Sequence, residues 1–207
     1  MSAPTIDPAE IEKFSRIATE RWDPHGKFRP LHKFNPVRLA YIRDAALSHF
    51  RRDGSARAPL EGLTLIDIGC GGGLVAEPMR RLGASAGVRF DIVLNLDAVE
   101  HAADPKLFIE ASAELLRPGG LLVVATIKRT LMAFALAKIG AEYVLGWLPR
   151  GTHDPRKFVK PEELESFLAG AGLSLTARAG VAFDPLADRW RLSEDLSVNY
   201  MLTAVRR

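Results

Sequence analysis

Three side chains able to do acid–base or metal chemistry fall within five residues: Asp97, Glu100 and His101. They follow the apolar run Ile92-Val93-Leu94, so a strand delivers them to its carboxyl end, where open α/β sheets bind their ligands. Two carboxylates and an imidazole suit a divalent cation such as Mg2+, Mn2+ or Zn2+, which would lower the pKa of a bound hydroxyl and fix its oxygen for attack. The same residues equally suit a helix start, with acids favoured by the dipole and a hydrogen-bonded histidine. His153, in the polar run 151–159, offers a second acid–base group or a side chain that holds its loop.

Such groups need a ligand beside them, and residues 63–73 are built to hold one. β-favouring apolar residues run into Asp67 and then a glycine cluster, and 74–82 has helical character. A strand, a tight turn and a helix start are the result. Glycine lets the backbone turn and lets a ligand approach the main chain, while the first N–H groups of the helix face it. A dinucleotide fingerprint can be laid on Gly71, Gly73 and Ala76 with Asp91 as its acid. Asp91 opens the next strand instead of ending one, so its side chain stands at the wrong edge of the sheet. The spacing Asp67-x-Gly69-x-Gly71-x-Gly73 instead resembles the first motif of S-adenosylmethionine-dependent methyltransferases. In that family the glycine turn passes under the methionine part of the cofactor, and the acid orders the loop.

Composition sets the outer bounds. The 207 residues are 47% hydrophobic and 26% charged, enough for one full core. A net charge of +3 is too small to argue for nucleic acid, and no nucleic-acid-binding motif accompanies it. The single cysteine, Cys70, excludes an intrachain disulfide framework and suits a reducing compartment. The first ten residues carry acids and prolines in place of a basic-then-apolar leader, so a cytoplasmic protein is expected.

Several elements must position these groups. Residues 8–21 form an expected helix with Asp7 as N-cap, serving as a lid. The proline-rich stretch 22–36 is expected to be an ordered loop and 37–50 a second helix, with Arg38 in its first turn, near where a loop could fold over a cofactor carboxylate. Asp104-Pro105 is an N-cap and first helical position for a helix to residue 116, with Leu107, Phe108, Ala111 and Leu115 inward. Residues 121–126 form a strand buried on both faces. Residues 131–148 are apolar, interrupted by Lys138 and Glu142 and flanked by Lys128, Arg129 and Arg150. That pattern fits a helix lining a greasy pocket, one lying on an anionic membrane surface, or one packed on the core, and not a membrane span. A helix from about 161 to 170 and two closing strands, 171–178 and 198–205, complete an antiparallel edge.

One part of the expected order is missing. A doubly wound sheet should follow the glycine helix with a second strand ending in an acid for the ribose hydroxyls, a helix and a third strand. Here residues 82–89 lead directly into the strand 90–96. The shortfall is on the order of 40 residues, the size of a βαβ unit with its following strand.

Longer motifs carry a closer resemblance. The glycine motif, Val99-Glu100-His101 with Asp104-Pro105, Arg117-Pro118-Gly119-Gly120, Gly140-Ala141-Glu142-Tyr143, Gly151-Thr152-His153-Asp154 and Val198-Asn199-Tyr200 together resemble the ubiquinone-biosynthesis O-methyltransferase family. So do Trp22-Asp23 and residues 30–38. The resemblance covers nearly the whole chain except the junction near Ser85 and Ala86. It implies a Rossmann-like class I α/β methyltransferase sheet with helices on both faces and an antiparallel C-terminal strand, here without its second and third strands. A single domain, 1–207, is expected, with an N-terminal helical lid at 1–58 and a substrate- or membrane-facing insertion at 127–160. The implied reaction is methylation of a hydroxyl on polyprenyl catechol and demethylubiquinol intermediates. Implied cofactor contacts are Arg38, Asp67, Gly69, Gly71 and Leu96; implied metal ligands are Asp97, Glu100 and His101, with Asp97 where the family has the longer Glu. His101 and His153 are the catalytic candidates, and other ubiquinone-biosynthesis proteins are possible partners at the inner face of the membrane. An alternative is a membrane-peripheral or assembly subunit that has lost the cofactor; a nicotinamide oxidoreductase is disfavoured by the placing of Asp91.

Overall fold

Alternation along residues 90–96 decides how the molecule is layered. The computed structural model describes residues 23, 25–26, 29–70, 74–85, 89–127, 158–184 and 187–207. The elements are α1 (Arg29–His49), β1 (Leu65–Ile68), α2 (Ala76–Arg81), β2 (Phe90–Leu96), a 3₁₀ turn (Val99–His101), α3 (Pro105–Leu115), β3 (Leu116–Ile127), α4 (Pro161–Gly170), β4 (Leu173–Asp184), β5 (Arg189–Ser193) and β6 (Asn199–Arg206). The six strands form one sheet in the order β1-β2-β3-β6-β4-β5. Its first three strands are parallel, and β6 runs antiparallel to both β3 and β4.

Because successive strand residues point to opposite faces, the core divides in two. Ile92 and Leu94 pack with Val123 and Met201 and with Ile42, Ala46 and Met79 from α1 and α2. Val93 packs with Leu122, Val124 and Leu202 and with Ile109, Ala113, Leu164 and Leu168 from α3 and α4. Helices therefore cover both faces, as the class requires. Cutting one of these buried leucines to alanine costs about 2–5 kcal/mol.

Four local expectations change. The helix placed at 37–50 begins at Arg29, so the loop expected at 22–36 is largely helical and Arg38 lies well inside α1. Pro30 costs nothing in the first turn, where its N–H would have no partner, and only Pro36 removes a helix hydrogen bond. Phe34, Val37, Tyr41, Ile42, Ala45 and Ala46 hold the helix through one continuous apolar face. In α3 the Asp104 cap is present, its Oδ1 accepting from the Leu107 N–H at 3.1 Å. Phe108 and Leu115 pack inward as expected, beside the buried Ile109, Ser112 and Ala113, while Ala111 is exposed. The helix after the glycines is α2, shorter than the expected 74–82. Between the closing strands lies a further strand, β5, paired with β4 through Phe183 opposite Trp190. The expected helix 8–21, Gly71, His153 and most of the insertion 127–160 lie outside the described residues.

The junction is the departure that matters most. Ser85 makes one parallel bridge to Thr64, its N–H donating to the Leu63 carbonyl at 2.9 Å and its carbonyl accepting from the Leu65 N–H at 2.8 Å. That bridge lies on the outer side of β1. Five residues later Phe90 opens β2 on the inner side, and among the described residues no further strand lies beyond β1. Asp91 closes the joint at the amino edge: its Oδ2 accepts from the Thr64 N–H and hydroxyl, each at 2.8 Å, and from Arg117 at 3.1 Å. Burial alone would raise Asp91, but those hydrogen bonds and the Arg117 charge outweigh it and hold the carboxyl below its usual range.

Candidate active site

The carboxyl ends of β1, β2 and β3 meet the N-terminal half of α1. After β1, Gly69 takes φ +76°, and a Cβ built there would stand 3.2 Å from that of Ala98 in the turn after β2. The turns after β1 and β2 therefore touch, and a side chain at 69 would be strained in backbone and crowded at once. Asp97, next to Ala98, also has positive φ, at 53°, with its N–H bonded to the Ala125 carbonyl at 2.9 Å.

From α1, Arg38 reaches into this corner. It is only 3% exposed, ion-paired through Nη2 to Asp97 Oδ2, and its guanidinium lies 4.1 Å over the Phe34 ring. Its Nε has no protein partner. One helical turn earlier, Asn35 Nδ2 donates to the Leu74 carbonyl at 2.7 Å and ties α1 to the end of the glycine turn. Phe34 stacks on Trp190 at 4.8 Å, and Trp190 meets Phe183 at 5.3 Å, so an aromatic ladder runs from Arg38 to the outer hairpin.

Two carboxyls here are electrostatically unusual. Burial pushes Asp67 up to about 7; the Arg38 charge pulls it down and Asp97 pushes it further up. Glu100 is also raised, first by burial and then by Asp97, against the Thr126 hydroxyl, which donates to its Oε2 at 2.7 Å. Its Oε1 has no partner. Both carboxyls keep their protons into the neutral range, so the corner tolerates few uncompensated negative charges.

The sequence-derived candidates thus separate. Arg38, Asp67, Gly69 and Leu96 share the one corner, at the ends of β1 and β2 and under α1. The metal set does not assemble: among the described residues no group of three His, Cys, Asp or Glu side chains is placed to hold a metal ion. The reason is visible in the partners, since Asp97 is taken by Arg38 and Glu100 turns inward to Thr126. His101 is half-buried on the same 3₁₀ turn. Thr126, Asn35 and Phe34 escaped sequence reasoning. Asn35 and Arg38 do have the i, i+3 spacing of one helical face, but that signal is lost once 22–36 is taken as a loop.

For a cofactor with a methionine end, the corner fits. Arg38 is a buried cation with a spare donor, and Gly69 leaves main chain uncovered where a ligand could lie. For the nucleoside end the fit fails, because among the described residues the only pairing on the outer side of β1, where a strand ending in a ribose-binding acid would lie, is the single bridge at Ser85.

Known proteins place the chain firmly. A family model described as a methyltransferase domain matches residues 39–178. A solved structure similar to this one is magnesium protoporphyrin IX methyltransferase from Synechocystis PCC 6803 with bound SAH, at TM-score 0.58 and 18% identity over 97% of this chain and 95% of that one. Fold and site together define a class I S-adenosylmethionine-dependent methyltransferase. The ubiquinone biosynthesis O-methyltransferase of a Chelativorans species is 54% identical over 237 aligned positions, covering 97% of this chain and 94% of the relative. That of Caulobacter vibrioides is 50% identical over 98% of this chain and 95% of the relative. The chain belongs to the ubiquinone biosynthesis O-methyltransferase family. These relatives lend no support to the assembly-subunit alternative. An alignment of 237 positions exceeds the 207 residues of the chain itself, so the relative carries at least 30 positions that have no counterpart here.

Proposed function

We propose that this protein transfers a methyl group from S-adenosylmethionine to a phenolic hydroxyl of a polyprenyl catechol or demethylubiquinol. Supporting this is one observation above others: Asp97 and Ala98, consecutive in the turn after β2, meet the buried Arg38 and the positive-φ Gly69 respectively. A cation and bare main chain are thereby set side by side where α/β sheets bind ligands. Arg38 faces the cofactor carboxylate, Asp67 orders the glycine turn that includes Gly69 and Gly71, and Leu96 lies alongside. When bound, the cofactor supplies a methyl already activated on a sulfonium, which a phenolate oxygen takes in one in-line displacement. The chain's task is to hold the phenol in line, exclude water and accept its proton.

His101 is assigned that proton; His153 is the second candidate. Replacing His101 by Gln should lower kcat about a hundredfold with little change in KM or cofactor affinity. Treatment with a chelator should leave the native rate unchanged. An unaltered kcat in the His101 variant would remove it from the mechanism, and loss of activity on chelation restored by a divalent ion would return Asp97, Glu100 and His101 to a metal role.

The substrate's tail places the work near a lipid surface. Among the described residues no helix is long and apolar enough to cross a membrane. Attachment through Lys128, Arg129 and Arg150, which flank the apolar run 131–148, supports peripheral binding at an anionic leaflet. Flotation with anionic vesicles, abolished when those three charges are neutralised, is the outcome expected.

A further inference from the structure

The chain leaves the outer side of β1 at Ser85 and enters β2 on the inner side at Phe90. Both points lie at the amino edge of the sheet, since Ser85 pairs with Thr64 and Asp91 bonds to that same Thr64. From one neighbour of β1 to the other is two strand spacings, about 10 Å. Five peptide steps reach roughly 17 Å when extended. Five steps are thus long enough to join the two points, and have no length left for a strand, a helix and a return.

Three further observations agree. The curated relative aligns over 30 positions more than this chain possesses. All four residues of β1 are partly exposed, whereas six of the seven residues of β2 are buried. Asp91, the acid that follows the glycines, is committed at the opposite edge to Thr64 and Arg117.

We infer that this chain has lost, as one piece, the outer strands that hold the cofactor's nucleoside, and that its cofactor site is a half-site selective for the methionine-type amino-acid end. The inference rests on the methyltransferase reading above. What remains is Arg38 for the carboxylate and the Gly69 turn for close main-chain approach. What is gone is the pair of charge-assisted hydrogen bonds from an acid to the ribose hydroxyls, together worth about a hundredfold in affinity or more.

Calorimetric titration of the whole chain tests it with three probes: S-adenosylhomocysteine, S-methyl-L-methionine and adenosine. The expected result is that S-adenosylhomocysteine binds within about tenfold of S-methyl-L-methionine, and that millimolar adenosine displaces neither. A hundredfold preference for S-adenosylhomocysteine, or displacement of it by adenosine, would overturn the inference while leaving the methyltransferase reading intact. A folded chain that binds none of the three would defeat that reading and the half-site together. As a second measurement, a relative's segment inserted between Ser85 and Arg89 should raise affinity for S-adenosylhomocysteine about a hundredfold and leave S-methyl-L-methionine unchanged. An equal gain for both would count against the half-site.

Discussion

Asp67→Asn should stabilise the protein, and more so at higher pH. Burial holds the Asp67 carboxyl at about 7 in place of 3.8. A carboxyl that binds its proton more tightly folded than unfolded takes stability from the folded state as pH rises between those two values. At roughly 1.36 kcal/mol per unit, the interval is worth about 4 kcal/mol in all. Of this, about 2.5 kcal/mol is lost between pH 5 and pH 8. Asparagine has nothing to titrate. The variant's advantage over the native chain should therefore widen by about 2.5 kcal/mol across that range. Glu100, also raised by burial, is present in both proteins and cancels in the difference. Urea unfolding followed by circular dichroism at pH 5, 6.5 and 8, with ΔG compared at a common slope, reads the effect directly. A difference that stays constant with pH, or is larger at pH 5, would refute the account of Asp67 as a carboxyl buried at a cost.

Two smaller changes probe its neighbours. Asp91→Asn should show the opposite pH dependence. Its carboxyl is held below the usual range, so the stability it contributes is present above the unfolded pKa and lost as pH falls through the folded one; the variant should cost about 1–3 kcal/mol at pH 7 and nearly nothing in acid, read from the same unfolding curves. Thr126→Val leaves both oxygens of the buried Glu100 without a side-chain donor. It should lower stability by about 1–3 kcal/mol, while Thr126→Ser, which keeps the hydroxyl, should cost less than half as much.

Where local chemistry decides an element, the sequence revealed it. The strand 90–96 emerges with those bounds because a run buried on both faces needs no partner to be recognised. Asp104 and Pro105 mark a helix start because capping is a bond between neighbours. Elements decided at a distance were hidden. Prolines at 30 and 36 argue for a loop, yet α1 is helical because Phe34 and Trp190, more than 150 residues apart, stack on each other. The spacing of Asp97, Glu100 and His101 allows one cation, but their side-chain directions are set by Arg38 and Thr126, from a helix and a strand that lie far away in the chain. Spacing on a single turn says which groups are near one another; only the partners opposite say which way they point.

The missing strands follow the same logic in reverse. Their absence was legible because it is a matter of chain length, and length is local. Why the remainder still folds is not local at all. A strand pair taken from the middle of the sheet would open the ladders of β2 with β3 and of β3 with β6, whose residues carry most of both core faces. Taken from beside β1, it exposes four residues and leaves those ladders closed. The two cut ends must also meet, and they do so because strands leaving and entering at the same amino edge lie two strand spacings apart, with Thr64, Asp91 and Arg117 to fasten the joint. Stability is thus seated in β2, β3 and β6, and nucleoside recognition belonged to the edge beyond β1. A chain can part with the second while keeping the first.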